Sequence, residues 1–253
     1  MVTPTLILIS TKTSIPPTSI PTPILPATLT PPPTLAPEQA KETLSNLLQN
    51  GGVDCSSPCV LGIIPGQSSF EEVRNSFIDS GFPVEQQCVS NESCSVSYKF
   101  DSGLSVRVPI VFKNDVVESF RIIITPEKKI SGKLREWLAY SPEMLIRRYG
   151  TPSKVEFFVG ELPSPLQAHM MTLYFESIDL IVNYYSYDDE DDTGVFRICP
   201  LLNQQDVVSI WFGKNPIYPP LPAVPLEEAT SMTLEEFSKL MTGEREDACI
   251  DLK

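Results

Sequence analysis

Cysteine is the residue type whose number and spacing in this chain most clearly indicate defined chemistry. The cysteines form one Cys-x3-Cys pair, one Cys-x5-Cys pair and two single positions. An even number of cysteines is typical of a disulfide framework in an exported protein. The residues that we expect to form disulfides are Cys55, Cys59, Cys88, Cys94, Cys199 and Cys249.

One of these disulfides is predicted by the local sequence. Cys88 and Cys94 flank a polar turn between two strand-like stretches, so they can bridge the base of a hairpin. Cys55 and Cys59 are then expected to pair with Cys199 and Cys249, which would tie the ends of the domain together. Six cysteines allow many pairings, so the sequence supports only the first bridge individually. A separate alternative, buried thiols in a reducing compartment, stays open.

The sequence does not favour a metal or cofactor site. Zinc would have to be held mainly by thiolates, since His169 is the single histidine and no Cys-x2-Cys pair is present. The acidic run Asp188–Asp192 offers oxygen ligands of the kind that calcium prefers. Thr193 stands where an EF-hand loop needs glycine. A solvated hairpin tip is the better interpretation, and we expect no metal and no cofactor.

Catalytic machinery is equally hard to find. His169 has no candidate nucleophile near it in the sequence. The stretch Gly62–Gly66 precedes a helix but lacks the Gly-Lys-Ser/Thr ending of a phosphate loop. We therefore predict that the protein is not an enzyme. The alternative is a carboxylate- or metal-dependent hydrolase with a cleft between two modules.

Charge excludes one class of partner. The formal net charge is −13, whereas nucleic-acid binding requires a basic face. We expect no nucleic-acid partner. No apolar run approaches the length that a membrane-spanning helix needs, so we also expect no transmembrane segment in this chain.

The first 37 residues differ in composition from the rest. They hold 10 of the 25 prolines, 9 threonines and one charged side chain, Lys12. Such a tract cannot bury enough apolar surface to fold, so residues 1–37 are predicted to be a disordered spacer. Thr/Pro stalks commonly separate an export signal or anchor from an extracellular domain. We expect an extracytoplasmic protein, secreted or anchored at the cell surface, whose export signal lies upstream of Met1. The alternative is a cytosolic protein with an unusual N-terminal tail.

Two parts of the remaining chain follow the same plan. In each, a short amphipathic helix ends at Gly-x-Pro and is followed by strand-like runs. The two punctuations, Gly81-Phe82-Pro83 and Gly150-Thr151-Pro152, lie 69 positions apart. Repetition at such a distance suggests one supersecondary unit used twice. We predict an α+β fold of two packed helix-plus-antiparallel-meander modules, residues 38–127 and 128–213, followed by a Pro-rich strap and C-terminal helix at 214–253.

Capping signals and strand composition support these elements. Ser68 and Ser69 open the first helix with overlapping capping boxes, and Ser141 precedes the second. Runs rich in Val, Ile and Phe predict the strands. The predicted strands are 96–100, 104–112, 116–125, 155–159, 170–175, 180–185, 195–199 and 207–212.

Aromatic residues concentrate in the second half of the chain. Adjacent residues of a strand face opposite sides of its sheet, so Tyr184 and Tyr185 cannot share one buried face. Exposed tyrosine and tryptophan are typical of binding surfaces. We take Tyr184, Tyr185, Tyr187 and Trp211 as candidate binding residues, with core packing as the alternative.

The repeated module resembles a known family. The stretches from Phe70 to Pro83 and from Pro142 to Pro152 are similar to the helix, Gly-x-Pro and strand order of the SmpA/OmlA-type lipoprotein domain and of the β-lactamase-inhibitor-protein fold. Cys59–Gly66 also resembles the start of uncharacterised bacterial exported proteins with a Thr/Pro stalk. The resemblance implies a non-catalytic envelope or secreted module that binds another protein or an envelope component. The chain lacks an evident lipid-attachment cysteine, and no functional residue is carried over.

Overall fold

The computed structural model describes residues 62–79, 85–90, 92–100, 103–126, 140–161, 167–188, 197–198, 207–214, 222–243 and 249–252, with single positions 39, 42 and 46. Several predictions lie outside these residues. They are the spacer at 1–37, the first Gly-x-Pro at 81–83 and the pairing of Cys55, Cys59 and Cys199.

From residue 62 onward the described residues form four α-helices and eleven strands, and the single described positions 39, 42 and 46 are also helical. The helices are α1 Phe70–Asp79, α2 Pro142–Tyr149, α3 Leu226–Thr230 and α4 Leu234–Thr242, with a 3-10 turn at Glu176–Ile178. The strands are β1 Glu85–Ser90, β2 Ser93–Lys99, β3 Leu104–Lys113, β4 Val116–Pro126, β5 Lys154–Glu161, β6 Gln167–Phe175, β7 Leu180–Asp188, β8 Arg197–Ile198, β9 Val207–Gly213, β10 Val224–Pro225 and β11 Ile250–Asp251.

Nine of these strands form one antiparallel sheet in the order β1-β2-β3-β4-β9-β7-β6-β5-β10. The fold is therefore mixed, with helices on a mostly β framework, as the α+β prediction states. The hairpin predicted around Cys88 and Cys94 is formed by β1 and β2, although no bounds were predicted for its first strand. The predicted strand at 195–199 also differs: its described part, β8, pairs with β11 and not with the large sheet.

The sheet has one apolar face, which we call the inner face. Its rungs run straight across the strands: Ile122 lies opposite Ile210, which lies opposite Val182, which lies opposite Leu173. These side chains are buried in a single cluster with residues of all four helices. The helix residues in that cluster are Val73, Phe77, Leu145, Ile146, Leu226, Ala229, Phe237 and Met241.

Local capping explains where the helices begin. Glu72 and Ser69 exchange the two hydrogen bonds of a capping box, at 2.8 and 3.2 Å. Ser68 does not form the second predicted box; its hydroxyl accepts from the backbone N–H of Ile64 at 3.0 Å. Ser141 caps α2 as predicted. Gly150 follows α2 with φ of 85°, a conformation that favours glycine.

The C-terminal helix α4 is tied to α2 by one arginine. The Arg147 Nη2 atom donates to the carbonyl of Thr242, the last residue of α4, at 2.8 Å, while its Nε atom donates to Glu143 at 2.9 Å. A cation at the end of a helix also complements the helix dipole. The predicted terminal helix therefore exists and lies against α2.

Tyr184 connects the sheet to the start of α2. Its ring is on the inner face and is 1% exposed. Its hydroxyl donates to the carbonyl of Tyr140 at 2.7 Å. A buried phenol keeps its hydrogen bond because leaving either group without a partner costs free energy.

We expect Tyr184→Phe to lower the free energy of unfolding by about 1–2 kcal/mol, since it leaves the buried Tyr140 carbonyl without its donor. Chemical denaturation measures this change. Tyr149→Phe is the matched control, because the Tyr149 hydroxyl makes no hydrogen bond to a residue that the structure describes. Equal losses in the two variants would contradict the assignment.

Candidate binding face of the sheet

The structure separates the four aromatic residues taken as binding candidates. Tyr184 is buried on the inner face and is therefore excluded from the surface. Tyr185 is partly buried and, by strand alternation, faces the other way. Trp211 lies on the same side as Tyr185 but is only 8% exposed. The backbone of Tyr187 pairs with Ala168, while its side chain lies outside the described residues.

We call the side of the sheet opposite the helices the outer face. Its residues alternate along each strand with the buried inner-face residues. The described outer-face side chains include Ser95, Ser97, Lys99, Ser105, Arg107, Arg121, Ile123, Ser209, Trp211, Ile181, Asn183, Tyr185, Thr172, Tyr174, Lys154 and Glu156.

One rung of the outer face has a cation beside an aromatic ring at each end. It runs through Arg121, Trp211, Ile181, Tyr174 and Lys154 on five successive strands. The Arg121 guanidinium lies 4.8 Å from the centroid of the Trp211 ring. The Lys154 ammonium lies 5.0 Å from the Tyr174 ring. Both pairs are at distances at which a cation is attracted to an aromatic face.

The next rung is polar and buried. Ser209, Asn183 and Thr172 are at most 4% exposed. Thr172 donates to the Asn183 side-chain oxygen at 2.8 Å, and the Arg121 Nε atom donates to the hydroxyl of Ser209. Because these polar groups bond one another and Arg121, they can be buried without a large desolvation cost.

Glu156 is the last residue of this rung, and its carboxylate contacts both Tyr174 and Lys154. Tyr174 donates its phenol hydrogen to one carboxylate oxygen at 2.7 Å, and Lys154 pairs with the other at 2.5 Å. Burial raises the pKa of Tyr174 well above its usual range, and the hydrogen bond to Glu156 and its negative charge raise it further. The Tyr174 hydroxyl is thus fixed as a donor over the whole physiological pH range.

The other half of the outer face is more open. We define the serine–arginine patch as Ser95, Ser97, Lys99, Ser105 and Arg107 on β2 and β3. Lys99 and Arg107 are exposed and the three serines are partly exposed. The Arg107 Nε atom donates to the Ser95 hydroxyl at 3.2 Å. The sequence interpretation overlooked this patch, although serines and cations alternating with buried valines gave the signal.

The structure gives no support from its described residues for a metal site. In those ranges no group of three or more His, Cys, Asp and Glu side chains could hold a metal ion. His169 is buried on β6 opposite Val159 and Ser186. Asp188 is the last residue of β7, and the rest of the acidic run lies outside the residues that the structure describes. No described helix has the length and apolar character needed to cross a bilayer.

Two cysteines are disulfide-bonded in the described residues, Cys94 and Cys249. Cys94 is buried, and the antiparallel register puts Cys88 directly opposite it. The side chain of Cys88 is outside the description, so the Cys88–Cys94 bridge stays a prediction. The register is nevertheless the one that such a bridge needs, because directly opposed residues of an antiparallel pair have close Cβ atoms.

Comparison of the chain with protein families, with curated proteins and with solved structures gives no match. The resemblance to the SmpA/OmlA-type domain therefore stays a prediction. The geometry of the outer face is therefore the only basis for the candidate site.

Replacing Glu156 with glutamine is expected to lower the pKa of Tyr174, because the variant loses the negative charge that holds the phenol proton. A raised tyrosine pKa stabilises the fold fully below pH of about 10 and ceases to do so as pH rises through the folded-state value. The variant should therefore lose less stability in alkali. The pKa of Tyr174 is measured from the absorbance of tyrosinate, after the titration curve of the Tyr174→Phe variant has been subtracted. Glu118→Gln is the control variant. An unchanged Tyr174 pKa in Glu156→Gln would show that the contact is not formed.

The Cys88–Cys94 bridge can be tested by comparing the two single cysteine variants with the double variant. We expect Cys88→Ser, Cys94→Ser and the double variant to have similar melting temperatures, all below that of the oxidised wild type, since either change removes the same bond. Peptide mapping without reduction should recover the two cysteines in one cross-linked fragment. Cross-linking of Cys94 to any other cysteine would refute the pairing.

Proposed function

We propose that this protein is a non-catalytic, extracytoplasmic module that binds another protein or an envelope component through the outer face of its sheet. The observation that carries the proposal is the difference between the two faces. Most of the described inner-face side chains are buried in the hydrophobic core together with residues of the helices. The outer face has ordered polar and aromatic side chains, with the serine–arginine patch open to solvent.

Rigidity of the supporting framework favours recognition by this face. The outer-face side chains come from adjacent strands of one antiparallel sheet, and several are fixed by mutual hydrogen bonds. A partner therefore meets a surface whose side chains are already ordered, which reduces the entropy lost on binding.

The proposed location is supported by covalent chemistry and by composition. Cys94 and Cys249 are disulfide-bonded, and disulfides persist mainly in oxidising compartments. The Thr/Pro-rich segment at 1–37 has the composition of a stalk that would hold the folded part away from an anchor.

A tandem origin of the sheet is part of the proposal. α1 with β1–β4 and α2 with β5–β7 and β9 follow the same order of elements. Glu85 begins β1 and Lys154 begins β5, 69 positions apart, which is also the separation of Gly81 and Gly150. The two halves would be copies of the module that resembles the SmpA/OmlA-type domain, with their last strands adjacent at the centre.

Site-specific photo-crosslinking in cells of the source organism tests the proposal. A photoreactive residue replaces Ser97 or Ser105 on the outer face, and Met144, which is 45% exposed on α2, serves as the control on the helical side. We expect the same covalent adduct from both outer-face positions and none from Met144. An adduct from Met144 alone, or no adduct from positions 97 and 105, would refute the outer face as the binding surface.

A further inference from the structure

We propose that Cys249 is bonded to Cys199, and that this disulfide is a reducible latch that holds residues 249–252, the β11 segment, on the core. The inference goes beyond the proposed binding role and does not depend on it. It differs from the pairing expected from the sequence, which joins Cys199 and Cys249 to Cys55 and Cys59. It is carried by the register of β8 with β11, by the burial of the residues beside Cys249 and by the exposure of Cys249 itself.

The pairing of β8 with β11 brings two cysteine-bearing stretches of the chain side by side. The two strands are antiparallel, and Ile198 lies opposite Ile250. Continued by one residue, this register places position 199, which follows Ile198, opposite position 249, which precedes Ile250. Directly opposed residues of an antiparallel pair have Cα atoms about 4.5–5.5 Å apart, a separation that a disulfide can span. Because Cys249 is disulfide-bonded, the cysteine across the ladder is the partner that the register offers.

A second disulfide-bonded cysteine stands in the same relation to a neighbouring strand. Cys94 is disulfide-bonded and lies opposite Cys88 in the pairing of β1 with β2. The chain has only six cysteines in 253 residues, so a cysteine directly across the ladder in both cases is not expected by chance. With these two bridges formed, Cys55 and Cys59 are left as partners for each other.

The β11 segment combines buried apolar side chains with a short backbone ladder. Ile250 and Leu252 are 1% and 8% exposed and belong to the hydrophobic core. β11 and β8 pair over only two residues each, and a two-stranded pairing of this size is marginal by itself. A covalent bond directly before Ile250 therefore helps to keep both side chains in the core.

The bridge also closes a long loop that includes the middle of the sheet. Positions 199 and 249 lie 50 positions apart, and the elements between them are β9, β10, α3 and α4. β9 lies between β4 and β7 in the large sheet, and Phe237 of α4 is fully buried in the core. Because a disulfide restricts the unfolded chain more strongly when it closes a longer loop, this bridge is expected to stabilise the fold more than a bond between Cys55 and Cys59.

Exposure makes the latch accessible to a dithiol reductant. Cys249 is partly exposed, whereas Cys94 is only 2% exposed. A thiolate of the reductant attacks one sulfur of the latch, forms a mixed disulfide and releases the other cysteine as a thiolate. The second thiol of the reductant then displaces the first cysteine. The dithiol has become a disulfide, and its two electrons and two protons have passed to Cys199 and Cys249, which are now thiols.

Trypsin digestion of the unreduced, alkylated protein tests the pairing, because the Lys and Arg positions sort the cysteines into four peptides. Peptides 42–74 and 75–99 contain two cysteines each, while 198–214 and 246–253 contain one each. We expect mass spectrometry to find 198–214 linked to 246–253. The other two peptides should be unlinked, each lacking two hydrogen atoms because of an internal bridge. Linkage of a single-cysteine peptide to 42–74 or 75–99, or an alkylated thiol in either of them, would overturn the pairing.

Hydrogen exchange of the native protein tests the latch. After brief treatment with dithiothreitol, we expect the backbone amides of residues 250–252 to exchange at least about tenfold faster, because they have lost their covalent tie. Exchange in β3 should not change. The double variant Cys199→Ser with Cys249→Ser should show the fast exchange without reductant. The matched control is Cys88→Ser with Cys94→Ser, which removes the other bridge and should leave exchange at 250–252 slow.

Two results of the exchange experiment would overturn the latch. One is unchanged exchange at 250–252 in protein whose 198–214 and 246–253 peptides are no longer linked. The other is an equal acceleration in β3, which would show that reduction unfolds the whole domain and does not release one segment. Neither result alters the photo-crosslinks from positions 97 and 105, so the proposed binding role is tested separately.

Discussion

The pairing of β4 with β9 is the contact on which this architecture depends. It joins the strands of the first half of the chain, β1–β4, to those of the second half, β5–β7, in one sheet. On the inner face Phe120 and Phe212 stack with ring centroids 4.6 Å apart. On the outer face the same strands bring Arg121 to Trp211 and to Ser209. Without this pairing neither a continuous core nor a continuous outer face would exist.

The two faces of the sheet are stabilised in different ways. The inner face removes apolar side chains from water together with the helices, which supplies most of the driving force for folding. The outer face buries a polar rung that stays stable only because its members bond one another. Such a rung fixes the geometry of neighbouring side chains, including Tyr174 and Lys154, at a point where a hydrophobic surface would invite non-specific association. Order on this face is thus available for recognition.

Short-range signals made several parts of the fold predictable. Helix starts at Ser69, Ser141 and Thr233 follow from side chains that accept the first free backbone donors. Alternation placed Tyr184 and Tyr185 on opposite faces. Tyr184 is buried in the core, which is the alternative kept open for the aromatic candidates. Alternation could not decide this, because it does not say which face the helices cover. The serine–arginine patch was missed because its members lie on two strands and become neighbours only through the register.

The sequence by itself determined the elements: amphipathic helices with their caps, strands rich in branched residues, an acidic charge and an even set of cysteines. These are properties of neighbours along the chain, where periodicity and capping act over a few residues. Only the tertiary structure decided the strand order, the union of both halves in one sheet, and the separate pairing of β8 with β11. It also decided which polar side chains became buried partners. Those outcomes depend on contacts between residues far apart in sequence, whose free energies no local pattern contains.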